Sequence, residues 1–153
     1  LTPIITAHLY KIIPFLVWFH RFAPLVGKQK VPMLADMVPI KSSDFGFVFY
    51  QCKITADQNV KKVYLGRPWR IYAKTAFINC ELGAHILPEG WHNWDKSDAE
   101  KTTYFAEFQN YGKGADTKQR VKWSHLISKK EVKKFDKKNI LNDSKKTNWY
   151  EFF

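Results

Sequence analysis

A six-residue pattern recurs in this chain at a fixed interval, and the recurrence limits the fold more than any other feature. Phe49-Tyr50-Gln51-Cys52-Lys53-Ile54 and Phe77-Ile78-Asn79-Cys80-Glu81-Leu82 both read F-x-x-C-x-[I/L], 28 residues apart. A further step of 28 reaches Phe105, in Tyr104-Phe105-Ala106-Glu107-Phe108, where the cysteine position holds Phe108. Each copy is short, alternating and rich in aromatic or β-branched residues, as strands are. A single copy cannot bury its apolar face, but stacked copies bury a continuous one. Alternation predicts that Val48, Tyr50, Cys52 and Ile54 share one face, matched by Ala76, Ile78, Cys80 and Leu82 and by Tyr104, Ala106 and Phe108. Stacked coils would turn these sets into ladders, with strands ~4.8 Å apart. Gln51, Lys53, Asn79, Glu81, Glu107 and Gln109 are expected on the opposite face, towards solvent or ligand. Cys52 and Cys80 then become buried neighbours, read as small apolar fillers. A disulfide between them is geometrically allowed, whereas two thiols without further ligands make no metal site.

The chain has 153 residues, enough for one domain with a sizeable core. Apolar residues make up 45% and aromatic residues 16%, which argues for packed structure over most of the length. The net charge of +11 points to a polyanionic partner: nucleic acid, an anionic membrane or an acidic polysaccharide. Much of the excess is local, since Lys129 to Lys146 holds eight lysines against Glu131, Asp136 and Asp143. That run reads as a solvated helix face and tail. Zinc spacing, P-loop and RNP-type motifs are all missing, so nucleic acid is not expected as a partner, nor any metal or cofactor.

Two stretches stand apart from the repeat. Residues 4–26 are strongly apolar and long enough to span a bilayer, but they contain His8, Lys11, Pro14, His20, Arg21 and Pro24. A charge near mid-span costs about 2.5–3.5 kcal/mol on insertion scales. The stretch has no initiator Met, basic leader or small-residue cleavage site, so it does not read as a signal peptide. Three readings stay open: an interfacial or packed amphipathic segment, a partial membrane span, and an artefact of sequence assembly. Gly27 to Ser43 reads as an extended connector, which puts the expected boundary between a segment 1–43 and a domain 44–153. Near the other end, Ser128-Lys129-Lys130-Glu131 is a capping box that predicts a short helix through about Phe135. The aromatic terminus Trp149 to Phe153 suits docking against a core.

Between the first two copies lies Val63-Tyr64-Leu65-Gly66-Arg67-Pro68-Trp69, followed by Tyr72-Ala73 and Thr75. This run resembles a signature of the pectin methylesterases. The resemblance continues through Phe77-Ile78-Asn79-Cys80, Pro88-Glu89-Gly90-Trp91, Tyr104 to Phe108, and Arg120-Val121-Lys122-Trp123, covering residues 45–134. It implies an all-β fold, the C-terminal coils of a right-handed parallel β-helix, with short helices at the C-terminus. It also implies hydrolysis of methyl esters on polygalacturonate (pectin), by an extracellular or periplasmic monomer. In the family an aspartate attacks the ester carbonyl, a second serves as acid then base, glutamines stabilise the oxyanion, and an arginine holds the nucleophile. By resemblance that arginine is Arg67. A guanidinium can grip a carboxylate through two parallel hydrogen bonds and keep it ionised. Trp69 resembles the substrate-facing aromatic of the same signature, and Trp94 and Tyr72 are further candidates for the sugar-binding cleft. Trp91 and Trp123 are expected in the core, and His85, His92 and His125 are expected to be structural.

The family blocks that carry the two aspartates and the glutamines are not found in these 153 residues. Asp44-Phe45-Gly46-Phe47 resembles one only superficially and fits better as the start of the strand preceding the GRPW coil. The isolated chain is therefore expected to be inactive or nearly so. Two alternatives are a non-catalytic module that binds acidic polysaccharide, and a membrane-linked fusion in which residues 4–26 contact the bilayer. The first coil would also present open strand edges, so either the N-terminal segment covers it or the chain is expected to aggregate.

Overall fold

The computed structural model describes residues 7–8, 45–136 and 139–140. The expectations for the rest of segment 1–43 and for the aromatic terminus lie outside those residues. Seven strands are described: β1 (Ala7–His8), β2 (Phe47–Tyr50), β3 (Lys53–Ile54), β4 (Lys74–Ile78), β5 (Glu81–Leu82), β6 (Tyr104–Phe108) and β7 (His125–Leu126). They form two sheets. One runs β2-β4-β6-β7 and is parallel throughout. The other runs β1-β3-β5, parallel between β3 and β5, with β1 antiparallel on the edge of β3. A third column consists of isolated parallel bridges, Val63 to Ile86 and Gly66 to Trp91. Each coil thus visits three walls in turn, and the chain advances one strand per coil, which is the stacked solenoid that the repeat predicts.

The walls enclose one apolar interior, with Phe49, Ile54, Leu65, Phe77, Leu82, Trp91 and Phe105 among its largest members. Phe49 and Phe77 stack with their rings 4.5 Å apart, and Trp91 stacks on Phe105 at 4.4 Å. The expected face assignment fails here for a physical reason. Gln51 and Asn79 adopt positive φ, 52° and 53°, and such a residue turns the chain sharply between two walls. Alternation does not survive that turn. Phe49 and Cys52 both point inward, as do Phe77 and Cys80. Tyr50, expected inside, is 43% exposed. Ala76, Ile78 and Ala106 lie on the outer face of the long sheet, where they form a second cluster with Ile127 and Phe135. Both faces of that sheet are therefore covered, which accounts for its near-continuous apolar character.

The third copy also differs from the expectation. β2 pairs with β4 at an offset of 28, Phe49 opposite Phe77, but β4 pairs with β6 two residues further on, Thr75 opposite Phe105 and Phe77 opposite Glu107. Gln109, with φ 46°, takes the turning position. The place after it, which corresponds to Cys80, belongs to Asn110 rather than Phe108, and the Asn110 Oδ1 accepts from the Cys80 N–H at 2.9 Å. The extra length enters between β4 and β6, where a 3₁₀ helix (Ser97–Lys101) is inserted. A second 3₁₀ helix (Glu131–Phe135) follows the capping box, whose two reciprocal bonds are both made: Ser128 N–H to Glu131 Oε2 at 2.8 Å, and Glu131 N–H to Ser128 Oγ at 3.2 Å. Ala7–His8 on β3 puts part of the N-terminal segment on an edge of the first coil.

Candidate functional site

The third column carries the GRPW run. Val63 and Leu65 are fully buried, and alternation turns Tyr64 outward between them. The column is held by Val63 N–H to the His85 carbonyl at 2.8 Å, Leu65 N–H to the Gly90 carbonyl at 2.6 Å and His92 N–H to the Gly66 carbonyl at 3.2 Å. Pro68 is fully buried beyond it. These constraints leave Arg67 half-buried with its guanidinium carbon 5.3 Å from the centre of the Tyr64 ring. Its Nε is buried and has no hydrogen-bond partner among the described residues. The ion pairs among those residues are Lys53–Glu81, Lys101–Asp98 and Arg120–Glu107, so no carboxylate there engages Arg67. A buried donor without a partner is uncommon and costs about 1–3 kcal/mol.

Trp69 and Trp94, distant in sequence, meet with ring centres 5.1 Å apart. Trp69 is 48% exposed. Trp94 is held by a strained turn: it and Asp95 have φ of 56° and 58°, fixed by Trp94 N–H to His92 Nδ1 at 2.8 Å and Asp95 N–H to Asn93 Oδ1 at 3.0 Å. Lys96 ties the two together, since its Nζ donates to the Trp69 carbonyl at 2.9 Å and sits 5.1 Å from the Trp94 ring. Tyr72 lies half-buried in the turn Arg70 to Ala73. His92 packs on Tyr64 at 4.9 Å. An open cleft of about 180 Å³ lies against Tyr64, Glu89, His92, Asn93, Glu100 and Trp123. Sequence reasoning did not single out Tyr64, Asn93 or Glu100. The outward position of Tyr64 could have been read from the alternation Val63-Tyr64-Leu65.

Behind the cleft, a buried ion pair fixes the loop that leads into Trp94. Arg120 Nε and Glu107 Oε1 are 2.8 Å apart, with Nη2 to Oε2 at 3.2 Å, and both side chains are 3% exposed. Glu107 was expected to face solvent; it shares the inner face of β6 with Phe105, and Arg120 pairs with it there. Glu107 also accepts from the Trp91 indole N–H at 3.1 Å. The remaining Arg120 donors reach the carbonyls of Pro88 at 2.9 Å, Leu87 at 3.3 Å and Gly114 at 2.7 Å. Trp91 is 1% exposed, a core residue as expected.

Comparison with known proteins agrees with this geometry. The family model described as Pectinesterase matches residues 23–144. The chain belongs to the pectinesterase family. The matched span begins inside the segment 1–43. The Arabidopsis thaliana protein called pectinesterase 11 is 38% identical over 122 residues, covering 80% of this chain and 33% of the relative. A Brassica campestris pectinesterase/pectinesterase inhibitor is 36% identical over 118 residues, covering 72% of this chain and 20% of the relative. The solved pectin methylesterase from carrot superposes with a TM-score of 0.66 at 30% identity, over 72% of this chain and 38% of that one. The enzyme from Aspergillus niger gives 0.54 at 32% identity, over 63% and 32%. This pectinesterase-family chain therefore spans about a third or less of the curated relatives named here, and its solenoid is the right-handed parallel β-helix of the family.

Proposed function

We propose that this chain contributes the arginine and aromatic side of a site for demethylating pectin, with the acidic residues supplied from outside these 153 residues. The observation that carries the reading is Arg67, a half-buried guanidinium whose Nε has no partner among the described residues, two residues from the exposed Trp69. A guanidinium so placed suits a carboxylate nucleophile, which it would orient and keep ionised. Attack of that carboxylate on the methyl ester carbonyl would release methanol, protonated by a second acid, and water would then free the acyl group. Arg67 itself moves no proton. Trp69 and Trp94 offer flat apolar surface to a sugar ring, and Lys96 between them offers a positive charge to a neighbouring galacturonate carboxylate. The substrate on this reading is methyl-esterified polygalacturonate, and the location is extracellular, where that polymer is found.

Tryptophan fluorescence tests the binding half. Titration with a methyl-esterified oligogalacturonate is expected to change the emission of the chain. Trp69→Ala should weaken binding roughly 2- to 10-fold, as loss of one aromatic stacking contact implies. No spectral response at millimolar oligosaccharide, or equal binding by the variant, would overturn the assignment of Trp69.

A further inference from the structure

We propose that Cys52 and Cys80 are a site of oxidative modification, an intrachain disulfide that ties the first coil to the second. The inference does not depend on the functional reading above. The β3–β5 register pairs Lys53 with Glu81 and Ile54 with Leu82, and the ladder extends back one step through Glu81 N–H to the Cys52 carbonyl at 2.9 Å. Cys52 and Cys80 are thus stacked neighbours in adjacent coils. Parallel strands lie ~4.8 Å apart, inside the Cα separation of roughly 4.4–6.8 Å that disulfides span. Both thiols are free and buried. The Cys80 sulfur leans into the first coil, 3.3 Å from the Phe49 carbonyl, and the Cys52 sulfur lies 3.5 Å from the Tyr50 carbonyl. A hydrogen bond from Cys80 holds the Cys52 thiol below its ordinary pKa, and the same bond together with burial pushes Cys80 up. Cys52 lies in the first coil, next to the edge through which an oxidant would enter, which makes it the attacking thiolate and Cys80 the group that keeps its proton until the second step.

With a small-molecule disulfide such as glutathione disulfide as oxidant, the electrons balance. The Cys52 thiolate attacks one glutathione sulfur and expels the other glutathione as a thiolate, leaving a mixed disulfide. The expelled thiolate takes the Cys80 proton. Cys80 then attacks the Cys52 sulfur, forming the protein disulfide and releasing the second glutathione as a thiolate, which is protonated by solvent. Two protein thiols are oxidised and one small disulfide is reduced to two thiols. Access comes through the first coil, because the outer edge of β2 is unpaired among the described residues and opening there exposes Cys52. The closed loop would contain Arg67, Trp69 and Tyr72. By the chain-entropy relation, a loop of this length favours folding by roughly a few hundred-fold.

The test uses the full 153-residue chain, incubated with glutathione disulfide and also refolded in its presence. A mass lower than the reduced form by about 2 Da is expected. A non-reduced peptide map should join the Cys52 and Cys80 peptides, and the urea midpoint should rise and return on reduction. Cys80→Ala should abolish the mass loss and the shift in midpoint. Two alkylatable thiols after both treatments, or a glutathione adduct that never resolves into the intrachain bond, would overturn the proposal.

Discussion

Replacing Arg120 by Met isolates the contribution of the buried ion pair. Methionine keeps most of the apolar stem and removes five donors and a charge. What remains is Glu107, 3% exposed, with its bidentate partner gone and only the Trp91 indole at 3.1 Å and Asn110 Nδ2 at 3.4 Å left to it. Removing one member of a buried pair typically costs about 3–5 kcal/mol. Three carbonyls also lose a donor. That of Pro88 sits in an exposed residue and can be rehydrated, whereas Gly114 is buried. The total falls at about 4–6 kcal/mol, a large part of the roughly 5–15 kcal/mol that holds a domain together. Urea unfolding followed by tryptophan fluorescence measures it, because Trp91 reports on the site directly. The double variant Arg120→Met, Glu107→Leu should lose no more than Arg120→Met alone, since the uncompensated charge is gone and only the Trp91 and Asn110 donors are left wanting. A loss below about 1 kcal/mol for Arg120→Met, or a double variant equal to the sum of the singles, would refute the reasoning.

Three further outcomes follow from particular contacts. Gly112 has φ +98°, and a Cβ there would lie 2.6 Å from the Leu82 carbonyl oxygen, so Gly112→Ala should cost about 1–3 kcal/mol or more in urea unfolding. Burial holds the His85 pKa below its usual value, so the unfolded chain binds a proton before the native one does. Stability should therefore fall as pH drops below about 6.5, by at most ~1.4 kcal/mol per unit, and His85→Leu should flatten that slope between pH 8 and pH 5. Hydrogen bonds from Ser128 hold the Glu131 carboxyl below its ordinary range. The cap is thus fully formed above about pH 4.5 and is lost as pH falls through the lower native value; amide exchange at Val132 should accelerate there, and Ser128→Ala should abolish that acid sensitivity.

The repeat made the solenoid legible because stacking is the only way such short apolar copies can bury their faces. Register was harder to read. Past β4 the self-similarity rests on Phe105 alone, and a single aromatic cannot reveal that the 3₁₀ segment Ser97–Lys101 lengthens the coil by two residues. Face assignment failed at Gln51 and Asn79, where positive φ resets the alternation, and neither amide side chain announces that geometry on its own. Glu107 was placed towards solvent because alternation put it opposite Tyr104, Ala106 and Phe108; in the structure the inner face of β6 carries Phe105 and Glu107 instead, and the partner that allows the burial lies thirteen residues further on. At the site, the local run Val63 to Trp69 was readable, but the meeting of Trp69 with Trp94 depends on a turn held by His92 and Asn93. No periodicity encodes that turn.

The most direct measurement is methanol release from methyl-esterified polygalacturonate by the purified chain, followed by proton NMR. If Arg67 lacks a carboxylate to orient, release stays at the level of the buffer and is unchanged in Arg67→Ala. Release at the rate of a full-length relative, lost in Arg67→Ala, would mean that a nucleophile lies within these 153 residues and would contradict the account.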